Sequence, residues 1–333
     1  MQKLVTFLIF LLIVVLIALV TIPQWAVKKP DKVLIGHFPD VPNCWLYFGL
    51  DQGLFEKYKL EPKLIEFSSY EEALDSLQNG RIDCFFSFPW SFLLQEMADT
   101  LTEMEGDTVH LQKAIMSFYS TSEKPYGALV VPEKSAITDV KKLSRKKIGV
   151  VRHPYAELEA LLVRALQQEI SPRNVHTESV EKSQVSSLLE DKEISSALLY
   201  EPNLVRMLQR GKTQILQEDP ISSYLIDAYP LQVACISTSF LTKKSEAALN
   251  FRNALEESLQ FGDLNEADVR GSLADYMNLT TSESRKVRLP LFETYETIDR
   301  DAIQNFADLL TSEGVLPDTL ETQGQGIFFD MFE

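Results

Sequence analysis

Short apolar runs alternate with stretches of helical period along most of this chain, and polar or proline-bearing turns separate them. Val33-Leu34-Ile35, flanked by Lys32 and Gly36, is predicted as a buried strand. The loop 38–43 holds two prolines and an Asn, which forbid further regular structure. Asn43 is placed to cap a helix carrying Trp45, Leu46, Phe48 and Leu50, and Gly53 to end it. Residues 60–67 mix apolar and polar side chains as a second strand does. Strand, loop, helix and strand make a βαβ unit, which favours parallel pairing. In open parallel sheets ligands lie beyond the carboxyl ends of the strands, so the loop 37–43 is a candidate wall.

The pattern continues in the same manner. Ser69 and Glu72 form a capping-box pair for a helix over 69–79, and Asn79-Gly80 stops it. Strands are predicted over 81–87, 114–119 and 126–131, with a helix through Leu93, Leu94 and Met97 after the first of these. The apolar stretch within 146–151 reads as another strand. Tyr155, Leu158, Leu161, Leu162, Ala165 and Leu166 then fall on one helical face, whose amino terminus is a natural seat for an oxyanion or carbonyl. Further strands are predicted at 174–180, 193–202, 214–216 and 231–236, and helices at 183–189, 248–259, 266–277 and 298–310. The alternation predicts an α/β protein with parallel pairing and no internal repeat.

Residues 4–22 carry no charge, and at about 1.5 Å per residue they are roughly long enough to cross a bilayer's hydrocarbon core. The run exceeds the usual apolar region of a secretory signal, and no small-x-small cleavage site follows it, so an uncleaved N-terminal anchor over 1–30 is expected. The balance of 48 Asp plus Glu against 32 Lys plus Arg argues against nucleic-acid binding. Cys44, Cys84 and Cys235 have neither disulfide-framework nor zinc spacing and read as small core residues. The chain has no G-x-S-x-G, H-E-x-x-H, Walker or Gly-rich dinucleotide motif, so no catalytic residue, metal or cofactor is expected.

Several of these segments resemble one family. Gly49 to Leu60 (GLDQGLFEKYKL) is similar to a signature of solute-binding proteins for nitrate, sulfonates, taurine and thiamine precursors, with Lys59 where the family often has Gly. Leu77 to Asp83 matches its "L-x-x-G-x-I-D" pattern. The stretch 135–143 followed by Lys146-Lys147-Ile148-Gly149-Val150 resembles the family's short helix and "L-x-G-K-K-I-G-V", with Arg145 in place of Gly, which implies a helix over 135–143. Glu193 to Pro202, with Glu193 and Ser196 in place of Gly and Asp, Ser239-Phe240-Leu241 and the stretch 306–316 continue the resemblance, which covers nearly everything after Lys32.

The resemblance implies a two-lobed periplasmic-binding-protein type II fold, each lobe a mostly parallel sheet flanked by helices. Lobe 1 would comprise 31–122 with 232–333, and lobe 2 123–231. It implies the extracytoplasmic component of an ABC importer: a monomer with a small-molecule ligand and a membrane permease as partners. The lobes would close by a hinge near residues 120–126 and 229–231. Residues at strand ends or crossovers are then expected to line the cleft: Phe38, Asp40, Asn43, Phe88, Trp90, Tyr119, His153, Tyr155, Glu201 and Tyr229. The aromatic residues among them, with Asp40 and Glu201, favour a flat heteroaromatic ligand over bare nitrate. The rival expectations are a sulfonate held at helix amino termini, a thiamine-pyrimidine-synthase-like enzyme using His37 or His153, and a ligand-sensing domain.

Overall fold

The computed structural model describes residues 10–15, 29–103, 112–151, 155–317 and 327–328. Two mixed sheets organise it. The first contains β1 (Asp31–His37), β2 (Leu60–Glu66), β3 (Cys84–Pro89), β4 (Gln112–Ser120), β10 (Tyr229–Ser237) and β11 (Leu291–Thr294), in the order β11-β4-β10-β3-β1-β2. The second contains β5 (Gly127–Pro132), β6 (Lys147–Val150), β7 (His176–Ser179), β8 (Ser196–Tyr200) and β9 (Thr213–Glu218), in the order β7-β6-β8-β5-β9.

In the first sheet β1 pairs in parallel with β2 and β3, as the βαβ reading requires. The sheets are nevertheless not mostly parallel. Strand β10 is antiparallel to both β3 and β4, β11 is antiparallel to β4, and β5 is antiparallel to both β8 and β9. The reason is the traffic between sheets. Strand β4 carries the chain out of the first sheet and β10 carries it back, so the two neighbours run in opposite senses; β5 and β9 are in the same situation in the second.

The helices that frame the candidate site are α1 (Cys44–Asp51), α2 (Tyr70–Gln78), α3 (Trp90–Glu103), α4 (Leu158–Leu166), α5 (Asn203–Gln209), α6 (Ser245–Leu264), α7 (Glu266–Met277) and α8 (Arg300–Ser312). Ser69 caps α2 by accepting from the Glu72 amide, as its spacing predicts. Asn43 makes no cap. Asp40 instead caps a short 3₁₀ turn over Val41–Asn43, and α1 continues from it, freeing the Asn43 amide for other partners. Gly53, at a φ of +65°, makes the left-handed turn after α1 that other residues adopt at a cost. The core under α1 and α6 is aromatic, with Phe55 against Phe251 and Trp45 against Phe292 at ring distances of 5.4 and 5.2 Å. All three cysteines are free and buried there.

Of the expected anchor over 1–30, residues 10–15 and 29–30 are described; 10–15 are helical with exposed apolar side chains, and 1–9 and 16–28 lie outside the described residues. No helix among the described residues is long and apolar enough to cross a membrane.

Candidate functional site

The parallel strands of both sheets point their carboxyl ends at one cavity of about 660 Å³. From the first sheet it is walled by Phe38, Pro39 and Asp40 after β1, by Glu66 to Ser68 after β2, and by Tyr70 at the start of α2. From the second come Val151 after β6, Tyr155 and Leu158 at α4, Lys182, and Tyr200 to Asn203 with Arg206 at α5. Tyr276, Met277 and Asn278 at the end of α7 close one side. A second cavity, of about 440 Å³, lies under α6 and is lined by Ile115, Leu241, Ala248 and Leu255. It draws on the first sheet and its helices, away from the parallel strands' carboxyl ends, with Lys113, Arg252 and Glu256 as its charged lining.

Carboxylates set the electrostatics of the larger cavity. Asp40 accepts from the Val41 amide at 2.8 Å and from Gln232 Nε2 at 2.5 Å. Gln232 Nε2 also donates to the Tyr155 hydroxyl at 3.0 Å, so one amide from β10 links a residue of each sheet's loops. Burial lifts the Asp40 carboxyl to about 6, against the opposing pull of those hydrogen bonds and of Lys182. Glu201 accepts from the backbone amides of Val205 and Arg288 at 3.0 and 3.2 Å, yet burial lifts it to about 7.

Behind them, Glu157 immediately precedes α4, fully enclosed, and accepts from Ser91 and from Tyr229, each at 2.7 Å. Asp219 is also enclosed and accepts from Ser120, from the Tyr200 hydroxyl at 3.0 Å and from the Ile221 amide. Burial raises both of these acids as well.

Aromatic rings supply the walls. Phe38 lies against Tyr70 at 4.6 Å, Tyr155 against Tyr200 at 5.6 Å, and Tyr276 stacks on Tyr47 at 4.2 Å.

Of the residues predicted from the sequence, Phe38, Asp40, Tyr155 and Glu201 line this cavity. Asn43 does not; its amide donates to the Phe38 carbonyl and accepts from Ser87, bracing the loop from behind. Phe88 is packed between Phe85 and Phe92. Strand β3 runs on through Pro89, which pairs with Gln232, so Phe88 points into the core and Trp90 opens α3 with its indole donating to Ser117. Tyr119 is buried within the sheet, opposite Leu291 of β11. Tyr229 is buried beneath the cavity, bonded to Glu157 and edge-on to Phe306. His153 lies outside the described residues.

Tyr70, Tyr200, Gln232 and Tyr276 were not anticipated. Tyr70 and Tyr200 follow the strand-end rule and were within reach of it. Gln232, one polar residue in the buried strand YPLQVACIS, was a visible signal. Tyr276 depends on where α7 packs and has no local mark.

Among the described residues no group of three or more His, Cys, Asp or Glu side chains is disposed to hold a metal ion. The buried Cys44 thiol is pushed far above its ordinary range by desolvation, which removes it as a nucleophile. His37 is held against the Tyr47 hydroxyl at 3.0 Å, and burial lowers its pKa. The arrangement can enclose a molecule, stack it and accept its hydrogen bonds.

Two sheets joined by two crossings, with a cavity between their strand ends, define the architecture of periplasmic binding proteins. The family model described as NMT1/THI5-like matches residues 44–262, and the chain belongs to that family. No curated protein sequence matches the chain. Among solved structures, the periplasmic aliphatic sulphonate binding protein SsuA from Escherichia coli is similar at a TM-score of 0.69 and 15% identity, over 89% of this chain and 97% of that one. The alkanesulfonate-binding SsuA from Xanthomonas axonopodis pv. citri, bound to MOPS, gives 0.62 and 18% over 88% and 96%. The periplasmic nitrate-binding protein NrtA from Synechocystis gives 0.62 and 13% over 90% and 86%. At these identities the likeness is one of fold.

Proposed function

We propose that this chain is the extracytoplasmic solute-binding component of an ABC importer, which captures a small organic molecule and presents it to a membrane permease. The observation that carries this reading is the cavity itself. It sits at the carboxyl ends of parallel strands and takes its walls from both sheets, whose two crossings run side by side where Tyr229 pairs with Ser120, the geometry of a cleft that closes on its ligand. The similar structures named above bind sulfonates and nitrate, which supports a small solute as the cargo. In this reading lobe 1 comprises 31–122 with 232–333, lobe 2 comprises 123–231, and the segment 1–30 tethers the molecule to the cell membrane with the lobes outside. The protein acts as a monomer without turnover, and its acidic surface does not engage nucleic acid.

Native mass spectrometry of protein purified without refolding tests the proposal. A bound small molecule, released unchanged on denaturation and retaken by the refolded chain, is the expected result. Stoichiometric conversion of the bound molecule, or mass loss at a histidine, would replace the binding reading with an enzymatic one.

A further inference from the structure

The Asp40 wall of the cavity, and Gln232 buried behind it, are short of donors. Asp40 receives one uncharged donor on each carboxylate oxygen, the Val41 amide and Gln232 Nε2. Gln232 is fully buried, and with Nε2 committed to Asp40 and Tyr155 its Oε1 has no hydrogen-bond partner. An orphan buried acceptor carries a desolvation penalty that a donor would remove. Glu201 lies on the opposite wall, and Glu157, just ahead of α4, adds a buried carboxylate whose bonds go to Ser91 and Tyr229 and not to the helix amides.

Cations among the described lining residues are scarce and poorly aimed. Lys182 is exposed at the rim, and Arg206 donates to the Met277 carbonyl. The walls above this acceptor cluster are ring faces and edges, from Phe38, Tyr70, Tyr155 and Tyr200. Aromatic faces attract cations and stack on flat groups. Among the described residues, an oxyanion placed beside Asp40 meets a carboxylate and ring faces, both repulsive, while a flat cation there meets complementary groups.

We infer that the cleft takes a flat organic cation bearing N–H donors, with Asp40 as its counter-ion and Gln232, buried behind the wall, as the group that positions Asp40 and Tyr155. This rests on the solute-binding reading and narrows its cargo.

Titration calorimetry on the full lobed protein, freed of retained ligand, with benzamidine, benzamide and benzenesulfonate tests it. The three probes share a ring and differ in charge. Benzamidine is expected to bind, benzamide more weakly, and benzenesulfonate not at all. Asp40→Asn is expected to weaken benzamidine by at least about tenfold, the scale of one lost charge-assisted bond, and to leave benzamide within a few-fold. The Gln232 amide can turn over to face the new side chain, so this variant keeps its fold, which circular dichroism checks. Benzenesulfonate binding as tightly as benzamidine, no binding of benzamidine, or an Asp40→Asn variant of unchanged benzamidine affinity each overturns the inference. A retained native anion does so too, while leaving the solute-binding reading intact. That reading fails separately, if no retained molecule is found or the retained molecule is chemically converted.

Discussion

Asp40 and Glu201 keep their carboxyl groups near 6 and 7 because burial outweighs the hydrogen bonds each receives. The sign of the consequence follows from linkage. A carboxyl whose folded pKa lies above its unfolded value binds protons more readily in the folded state, so stability falls as pH rises through the interval between the two values. For these groups the interval runs from about 4 to about 7. The enclosed Glu157 and Asp219 are shifted in the same direction. Exposed Glu190, Asp227 and Glu257 are pulled down by their partners and act below that interval. Ligand-free protein should therefore melt at a higher temperature at pH 5.5 than at pH 8 in scanning calorimetry. Asp40→Asn should flatten the profile, recovering on the order of 1–2 kcal/mol at pH 8. A profile that rises toward pH 8 would refute the burial argument.

Helix packing makes an equally direct prediction through two glycines. Gly262 on α6 lies beneath Trp45 of α1, and a Cβ there would fall 2.6 Å from the indole Cζ3. Gly271 on α7 faces open space, with nothing within 4 Å of an added Cβ. Gly262→Ala should destabilise by about 1–3 kcal/mol through overpacking. Gly271→Ala should stabilise by about 0.5–1 kcal/mol, because alanine loses less entropy in a helix. Urea midpoints of the two variants should move in opposite directions. The same contrast explains what could be read along the chain. Helix α7 and the Ser69 cap were legible because their causes lie within one or two turns. The end of β3 was not, since Pro89 stays in the strand by pairing with Gln232, which is far away in sequence. Strand β11 has too few residues to show a period and exists by pairing with β4. At the site, Phe38, Asp40, Tyr155 and Glu201 needed only a strand end to place them, whereas Phe88, Trp90, Tyr119 and Tyr229 needed the register.

Across the whole molecule the two crossings are stapled together. Asp219 joins Ser120 at the end of β4 to Tyr200 at the end of β8, and Asp227 takes both the Ser122 amide and its hydroxyl. Arg288 adds a buckle, donating to both oxygens of Glu218 at 2.5 and 3.1 Å and to the carbonyls of Pro125 and Gly127. Arg288→Ala should cost about 1–2 kcal/mol, since Glu218 is half in solvent and screening trims the pair. Small-angle scattering should show a larger ligand-free radius for this variant than for the parent. Equal radii would mean the buckle does not restrain the lobes. One further consequence follows from β1, whose first residue, Asp31, lies at the pole of the first sheet remote from the cavity. Its seven residues place that entry point about 20 Å from the loop at Asp40. In the tethered arrangement proposed above the mouth faces away from the point of attachment, and a sensor chip that holds the chain by the same end leaves the mouth unobstructed.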